Sequence, residues 1–235
     1  MGTEAAIVEQ PKLISEHARA CLEALSASGY GRYLSLGGAF GLSHYFEYRT
    51  THDVDAWWVE PVSRADRLQV VRILEDVLKS FGQVRTRSWG DVVSVELIWQ
   101  TKTIFSFQIA NRSAQLEPSV PTSWAGIMVD AFGDLVASKM MALVERGAPR
   151  DFRDIYTLCQ SGWTDIARCW ELWQKRQQLA ASDANVARAR LAIETHLARI
   201  AQHRPLGQIE DDQQREEAKR LREWFIREFL VTTTE

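Results

Sequence analysis

The spacing of apolar residues changes near residue 130, and this change limits the folds open to the chain. Before it, short runs in which apolar and polar residues alternate, as in β-strands, are interspersed with segments of helical spacing. After it, only helical spacing recurs. We therefore predict an α+β fold, with a mixed-sheet core over residues 1–130 and a C-terminal helical bundle over residues 131–235.

The individual strands and helices can be placed along the sequence. A first helix is expected over about 12–27, and a second carries Val70, Leu74 and Leu78 on one face. Strands are predicted near 33–36, 53–59, 83–88, 91–99 and 103–110, and later helices near 132–146, 150–160, 164–178, 184–202 and 211–229. The alternation of strands and helices thus ends where the helical half begins.

The composition indicates an ordinary folded protein. Hydrophobic residues make up 46% of the 235 residues, which is enough for a core of this size. No apolar run of about 18 residues occurs and the N-terminus lacks the pattern of a signal peptide, so we expect a cytoplasmic location and no membrane contact. The net charge of −3 argues against a global basic field for nucleic acid, and three cysteines without a CxxC pair argue against a zinc site.

Asp53 and Asp55 form a D-x-D pair inside a strand-forming run, DVDAWWV. Side chains two apart on a strand point to the same face, so both carboxylates lie on one side and Val54 and Ala56 on the other. Mg²⁺ commonly binds through one or two carboxylates together with substrate phosphates. The pair therefore indicates a site for Mg²⁺ or Mn²⁺, and a solvated edge or turn is the alternative for a D-x-D pair taken alone.

Glu96 is the leading candidate for a third metal-binding carboxylate. It lies within the apolar strand VVSVELIW, where burying an acid is costly unless a partner compensates its charge. We therefore expect Glu96 to complete a carboxylate triad with Asp53 and Asp55. The alternative is a strand face open to solvent, with Ser94 and Glu96 both pointing outward.

Gly37 and Gly38 follow a short apolar run and precede a segment that is predicted to be a helix up to about Tyr48. At such a bend, backbone N–H groups can approach phosphate oxygens, and the helix dipole favours negative charge. A tight turn needed only for packing is the alternative. The D-x-D pair, which begins 15 residues after Gly38, favours phosphate binding.

Lys139 lies on the predicted helix 132–146 and shares a face with Leu135. Its stem can pack on apolar surface while the ammonium group projects into a cleft, which suits a phosphate clamp. Further along, the guanidinium group of Arg150 can bind phosphate oxygens, and Asp154 is a candidate for orienting Lys139 or an acceptor hydroxyl. The alternatives are a surface lysine and a helix N-terminus with acidic residues at its positive end.

Two segments of the chain carry motifs in an informative order. The stretch LSLGGAFGLSHYFEYRTTHDVDAWW (34–58) contains the glycine bend, an amphipathic segment, an arginine–threonine element and the D-x-D pair. The stretch DLVASKMMALVERGAPRDFRDIYTL (134–158) contains a lysine-bearing helix, an arginine and a helix with two acids. Together they resemble the two motifs of the AbiEii/AbiGii toxin family of nucleotidyltransferases, within the polymerase-beta-like superfamily.

The resemblance implies a role for each matching residue. The glycines Gly37 and Gly38 would hold the triphosphate of an NTP, Asp53 and Asp55 would bind metal, and Lys139 would contact the nucleotide phosphates. Asp151 or Asp154 would be the distal acid. The match includes Arg49 and Thr50, which we expect, with Arg150, to help bind the nucleotide. Family members transfer nucleotides from an NTP to an acceptor, with tRNA 3′ ends known for several relatives, and many are toxins encoded beside an antitoxin. The resemblance thus implies NTP as substrate, RNA as a candidate acceptor and an antitoxin as a candidate partner.

The expected reaction is attack by an acceptor hydroxyl on the α-phosphate of the NTP, with Glu96 helping to activate the hydroxyl. Two alternatives stay open. Ala39 stands where the family commonly has a small hydroxyl residue, which is compatible with a nucleotide-binding or partner-binding module without catalysis. The other alternative is an NTP-dependent phosphotransferase that moves the γ-phosphate.

Overall fold

The computed structural model describes residues 8–59 and 61–231. Its strands form one mixed sheet. They are β1 (Leu34–Gly37), β2 (Asp53–Trp58), β3 (Gln83–Trp89), β4 (Val92–Trp99), β5 (Lys102–Ala110), β6 (Val120–Pro121) and β7 (Met128–Val129). Their order across the sheet is β3-β4-β5-β2-β1-β7-β6. The five longer strands lie within a residue or two of their predicted positions, and the two-residue strands β6 and β7 were not predicted.

Both pairing directions occur in the sheet. Strand β2 pairs antiparallel with β1 and parallel with β5, which places it at the centre. Strands β3, β4 and β5 follow one another in antiparallel pairs, so β3 is an edge strand and carries Arg85 and Arg87. The opposite edge is β6, which ends at Pro121.

Two helices cover the apolar face of the sheet. Helix α1 (Glu16–Ala27) and helix α3 (Arg64–Lys79) begin after the N-capping residues Ser15 and Ser63. Their buried residues belong to one hydrophobic core with the apolar residues of the central strands, including Leu36, Val54 and Phe107. The opposite face of the central strands, which carries the aspartates, is thus left for polar side chains.

Helix α2 (Gly38–Ser43) is shorter than predicted, since the helix expected up to about Tyr48 ends at Ser43. The backbone N–H groups of Tyr45 and Phe46 both bond to the carbonyl of Leu42, which closes the helix in a turn. Residues 44–52 then run as an irregular segment into β2. Its aromatic and β-branched residues have low helix propensity, which explains the early end.

After β7, the described chain is mainly helical. The helices are α4 (Phe132–Glu145), α5 (Pro149–Gln160), α6 (Ile166–Leu179), α7 (Val186–His203) and α8 (Asp212–Trp224), and a π-helical turn over Phe225–Phe229 extends α8. Their core contains an aromatic cluster, in which Phe152 and Trp224 each contact Phe225 edge to face. The predicted fold class, an α+β mixed-sheet core followed by a helical bundle, is confirmed.

The chain divides into two compact units between Leu135 and Val136. The first contains the sheet and α1–α3, and the second contains most of α4 and all of α5–α8. The domain assignment from the sequence, with its functional roles, stays a prediction. Among the described residues, no helix combines the length and apolar character needed to cross a membrane.

Candidate active site

Strand β2 presents Asp53 and Asp55 on one face of the sheet. The two aspartates are half-buried, whereas Val54, Ala56 and Trp58, which alternate with them, are buried on the opposite face. The sequence predicts this alternation for a strand with one apolar face. Two carboxylates therefore lie along the same side of one strand.

Ser106 and Gln108 on strand β5 continue the polar row beside these aspartates. In the parallel register, Asp53 is opposite Ser106 and Asp55 is opposite Gln108. The Ser106 hydroxyl donates a hydrogen bond to Asp53 Oδ1 at 2.7 Å, and Gln108 Nε2 donates to Ser106 Oγ at 3.3 Å. These bonds orient the Asp53 carboxylate. Neither Ser106 nor Gln108 was predicted as a site residue.

The bend at Gly37 and Gly38 lies directly beside Asp55. Gly37 is opposite Asp55 in the β1–β2 register, and Gly38 has a left-handed backbone with φ of +58°. A Cβ atom at Gly38 would overlap the Asp55 carboxylate, and a Cβ atom at Gly37 would lie 2.5 Å from Trp57 Nε1. Both positions thus require glycine, because the backbone passes too close to β2 for a side chain.

Trp57 places an indole N–H group next to this bend. It follows Asp55 on the same face of β2 and is opposite Ser35 in β1. Its Nε1 atom is buried and has no hydrogen-bond partner among the described residues. A buried indole N–H usually has a partner, so this donor has capacity for an acceptor that residues 8–59 and 61–231 do not supply. Phosphate oxygen is an acceptor of that kind.

Glu96 lies in the same polar row, one strand further along. It is opposite Ser106 in β4–β5 pairing and is 7% exposed. Its Oε2 atom accepts hydrogen bonds from Arg85 Nε at 2.9 Å and Arg85 Nη2 at 2.5 Å. The alternative of a solvent-facing strand is wrong, since Ser94 is fully buried. The carboxylate predicted as a third metal ligand is engaged by an arginine.

The carboxylates of this face fit a hard divalent cation as a pair. Within residues 8–59 and 61–231, no group of three or more His, Cys, Asp or Glu side chains is arranged to hold a metal ion. Mg²⁺ needs only one or two protein carboxylates where substrate phosphates supply further oxygens. The Asp53–Asp55 pair beside a glycine bend satisfies this requirement, and the role of Glu96 as a third ligand stays a prediction.

Arg49 and Thr50 lie in the irregular segment before β2. The Arg49 guanidinium is over the Tyr48 ring, with 5.8 Å between its Cζ atom and the ring centroid, and Thr50 is exposed. Thr51, which was not predicted, donates its hydroxyl hydrogen to the Asp53 carbonyl at 3.0 Å. Thr51 thus fixes the start of the strand that carries the aspartates, and the nucleotide contacts of Arg49 and Thr50 stay predictions.

Lys139 and Asp154 form a buried ion pair in the helical unit. The Lys139 Nζ atom on α4 is 2.5 Å from Asp154 Oδ2 on α5, and the side chains are 8% and 0% exposed. Burying two charges is costly, and each becomes strongly destabilising without the other. The sequence-based pairing of these two residues therefore agrees with the geometry, and their roles in catalysis stay predictions.

Asp151 and Arg150 occupy the first turn of α5. Asp151 accepts hydrogen bonds from Arg146 at 2.8 and 2.9 Å and from the Ala148 backbone at 3.0 Å, and it is fully buried. It therefore anchors the start of the helix, as the structural alternative for this acid proposes. Arg150 is exposed, and its predicted phosphate contact stays a prediction.

Asp130 is a further buried carboxylate that was not predicted. It directly follows β7, accepts a hydrogen bond from Ser35 Oγ at 2.6 Å and forms an ion pair with Arg112. Burial raises the pKa of Asp130 above its ordinary value, although Arg112 and Ser35 act in the opposite direction. Its partners lie 18 and 95 residues away along the chain, so the linear sequence gives no signal for this cluster.

Comparison with known proteins places the two motifs in a family. The sequence model described as "Nucleotidyl transferase AbiEii toxin, Type IV TA system" matches residues 20–229. A crystal structure of a protein from H. pylori, described as a candidate nucleotidyltransferase, is similar over 92% of this chain and 97% of that one, with 14% identity and a TM-score of 0.47. No curated protein matches the chain. The family match extends well beyond the two motifs, into the last helices.

Proposed function

Because the chain belongs to the AbiEii family, the nucleotidyltransferase toxins of type IV toxin–antitoxin systems, we propose that it transfers a nucleotide from an NTP to an acceptor hydroxyl at the Asp53–Asp55 face of the sheet. The observation that carries this proposal is the direct contact between the glycine bend and the second aspartate. A Cβ atom at Gly38 would overlap the Asp55 carboxylate. A polyphosphate at the bend would therefore be next to the metal-binding carboxylates.

Asp53 and Asp55 are the proposed ligands of Mg²⁺ or Mn²⁺. When bound, the ion would offset the negative charge on the phosphates and on the attacking and leaving oxygens. Ser106 would keep the Asp53 carboxylate oriented through its 2.7 Å hydrogen bond. The protein's contribution is thus to hold charged groups in place before the substrates arrive.

The groups around the glycine bend are proposed to bind the triphosphate. The backbone N–H groups of Gly37 and Gly38 and the indole N–H of Trp57 are donors beside the carboxylates. Glu96, held by Arg85, would accept the proton of the acceptor hydroxyl or orient it. Within the helical unit, Lys139 and Arg150 are separately proposed to bind phosphates, and Asp154 to hold Lys139.

The acceptor, the cellular location and the partner protein are proposed as well. The acceptor is proposed to be RNA, such as the 3′ end of a tRNA, and the reaction to take place in the cytoplasm. The type IV toxin family implies a cognate antitoxin as partner. A protein of net charge −3 has no general attraction to RNA, so binding of an RNA acceptor would depend on local basic residues.

The test is transfer of label from an α-³²P-labelled NTP to total tRNA in the presence of Mg²⁺. The wild-type protein is expected to label RNA, and Asp55→Asn, which keeps the size of the side chain, is expected to abolish labelling. Asp91→Asn is the matched control, because Asp91 is an exposed residue in the turn between β3 and β4. An active Asp55→Asn protein would refute the assignment.

Two other outcomes identify the alternatives. Label transferred from the γ-phosphate and not from the α-phosphate would identify a phosphotransferase. Mg²⁺-dependent NTP binding without transfer to RNA, protein or a small molecule would identify a binding module that lacks catalysis.

A further inference from the structure

A cavity of about 460 Å³ lies within the helical unit, between α5, α7 and α8. Helix α5 lines it with Phe152 and Tyr156, α7 with Leu197, and α8 with Leu221. Its volume is within the range of about 300–1,000 Å³ that is typical of small-molecule sites. None of its lining residues is part of the carboxylate face described above.

The charge on this cavity is strongly unbalanced. Arg153, Arg204, Arg220 and Arg222 line it, whereas Glu217 is the one acidic residue in its lining. None of these four arginines forms an ion pair with another of the described residues, 8–59 and 61–231. The cavity lining therefore carries an excess of positive charge, with four arginines against one glutamate.

Two of the arginines are held close together. The Arg222 guanidinium donates a hydrogen bond to the Arg204 carbonyl at 2.7 Å. Burial and, to a smaller extent, the charge of Arg204 lower the pKa of Arg222. Neighbouring guanidinium groups that repel each other favour an anion between them, and phosphate matches their bidentate geometry.

The side chains that line the cavity favour a ligand with a planar ring that carries polar groups at its edges. Tyr156, which is half-buried, provides aromatic surface, and Thr157 and Gln214 provide hydrogen-bonding groups. A purely aliphatic ligand would leave these polar groups without partners once water is displaced. A nucleobase stacks on aromatic side chains and bonds through its edges.

We propose that this cavity binds a nucleoside monophosphate unit, with the phosphate at Arg204 and Arg222 and the base against Tyr156. The unit is either a free nucleotide or the terminal nucleotide of an RNA strand, which present the same chemistry. This site is independent of the proposed reaction, since it requires no metal ion and none of the residues of the carboxylate face.

The test measures binding of AMP to the full-length protein by calorimetry in EDTA, which removes metal-dependent binding at the carboxylate face. Saturable binding is expected, and adenosine without phosphate should bind about tenfold more weakly or worse, because charge-assisted hydrogen bonds are lost. The variant Arg204→Gln/Arg222→Gln should also weaken AMP binding about tenfold or more. Arg199→Gln, on the exposed side of α7 and outside the cavity lining, is the control and should change affinity less than about twofold.

A second variant tests the cavity without changing its charge. Ala218→Met adds volume inside the lining and should weaken AMP binding, with thermal melting used to verify that the variant is folded. A hexaribonucleotide ending in adenosine is then added as a competitor for AMP. Competition assigns the site to an RNA end and its absence assigns it to a free nucleotide, and both results support the proposal.

Three results would overturn the proposal: no saturable AMP binding, unchanged binding by the double arginine variant, or tighter binding of octanoate than of AMP. The last would identify an apolar carboxylate as the occupant. Failure of NTP transfer in the labelling experiment would leave this result unaffected, because the two assays use different residues and opposite metal conditions.

Discussion

Gly38→Ala tests whether the contact between the glycine bend and Asp55 is required for function. Gly38 has φ of +58°, and a left-handed backbone costs an alanine about 1–2 kcal/mol. In a chain of this length, that cost lowers the melting temperature by roughly 2–8 °C. The new Cβ atom would also overlap the Asp55 carboxylate, so the carboxylate must move. A displacement of about 1 Å at a reacting centre can cost about 100-fold in rate.

Gly90→Ala is the matched control for this experiment. Gly90 has φ of +52° in the turn between β3 and β4, and a Cβ atom there would have nothing within 4 Å. The control therefore carries the same backbone cost without the overlap. Thermal melting should show at least as much destabilisation for Gly38→Ala as for the control, and label transfer from an α-labelled NTP should be about 100-fold lower for Gly38→Ala alone. Equal activity of the two variants would refute the role of the contact.

Three further predictions concern stability, metal binding and pH. Ser106→Ala removes the hydrogen-bond donor to Asp53 and should raise the Mg²⁺ concentration for half-maximal activity about tenfold, as expected for a lost charge-assisted hydrogen bond. Ser106→Thr keeps the hydroxyl and should restore the wild-type Mg²⁺ requirement. An unchanged metal titration for Ser106→Ala would contradict the orienting role. Lys139→Met leaves the buried Asp154 carboxylate without its lysine and should lower the free energy of unfolding, measured in urea, by about 3–5 kcal/mol. Adding Asp154→Leu should recover most of this loss. An equal loss for the single and the double variant would disprove the coupling. Burial lowers the pKa of His44 from 6.5 to about 4. The contribution of this shift to the free energy of unfolding is therefore fully present above pH 6.5 and is lost as the pH falls towards 4. At about 1.4 kcal/mol per pH unit, the loss of unfolding free energy amounts to about 3 kcal/mol. Urea unfolding of His44→Asn should show a smaller loss of unfolding free energy than wild type between pH 6.5 and 4.

The central strand of the sheet could be predicted from the sequence because its aspartates alternate with apolar residues. In β2, Asp53 and Asp55 alternate with Val54 and Ala56, and this local pattern is enough to place both carboxylates on one face. The strands β6 and β7 could not be predicted, because two residues are too few to show a period. They are defined by pairing with each other and by the pairing of β7 with β1.

The candidate site could be predicted only where its members are close in sequence. Glu96 was expected from its apolar surroundings, but its partner Arg85 depends on the register of the β3–β4 hairpin. Ser106 contacts Asp53 across 53 residues of chain, and a serine in a strand carries no signal of its own. Such residues become visible only when the strand order is known.

The two edges of the sheet also bear on how the protein avoids association. An exposed edge strand offers unpaired backbone groups to any other strand, and proteins discourage this with charged residues, proline or very short strands. Strand β3 carries Arg85 and Arg87 along one edge, and the other edge ends in the two-residue strand that contains Pro121. Arg85, which holds Glu96, therefore also discourages pairing of this edge with other strands. Replacing Arg85 with an apolar residue would both disturb Glu96 and leave an edge strand that is prone to aggregation.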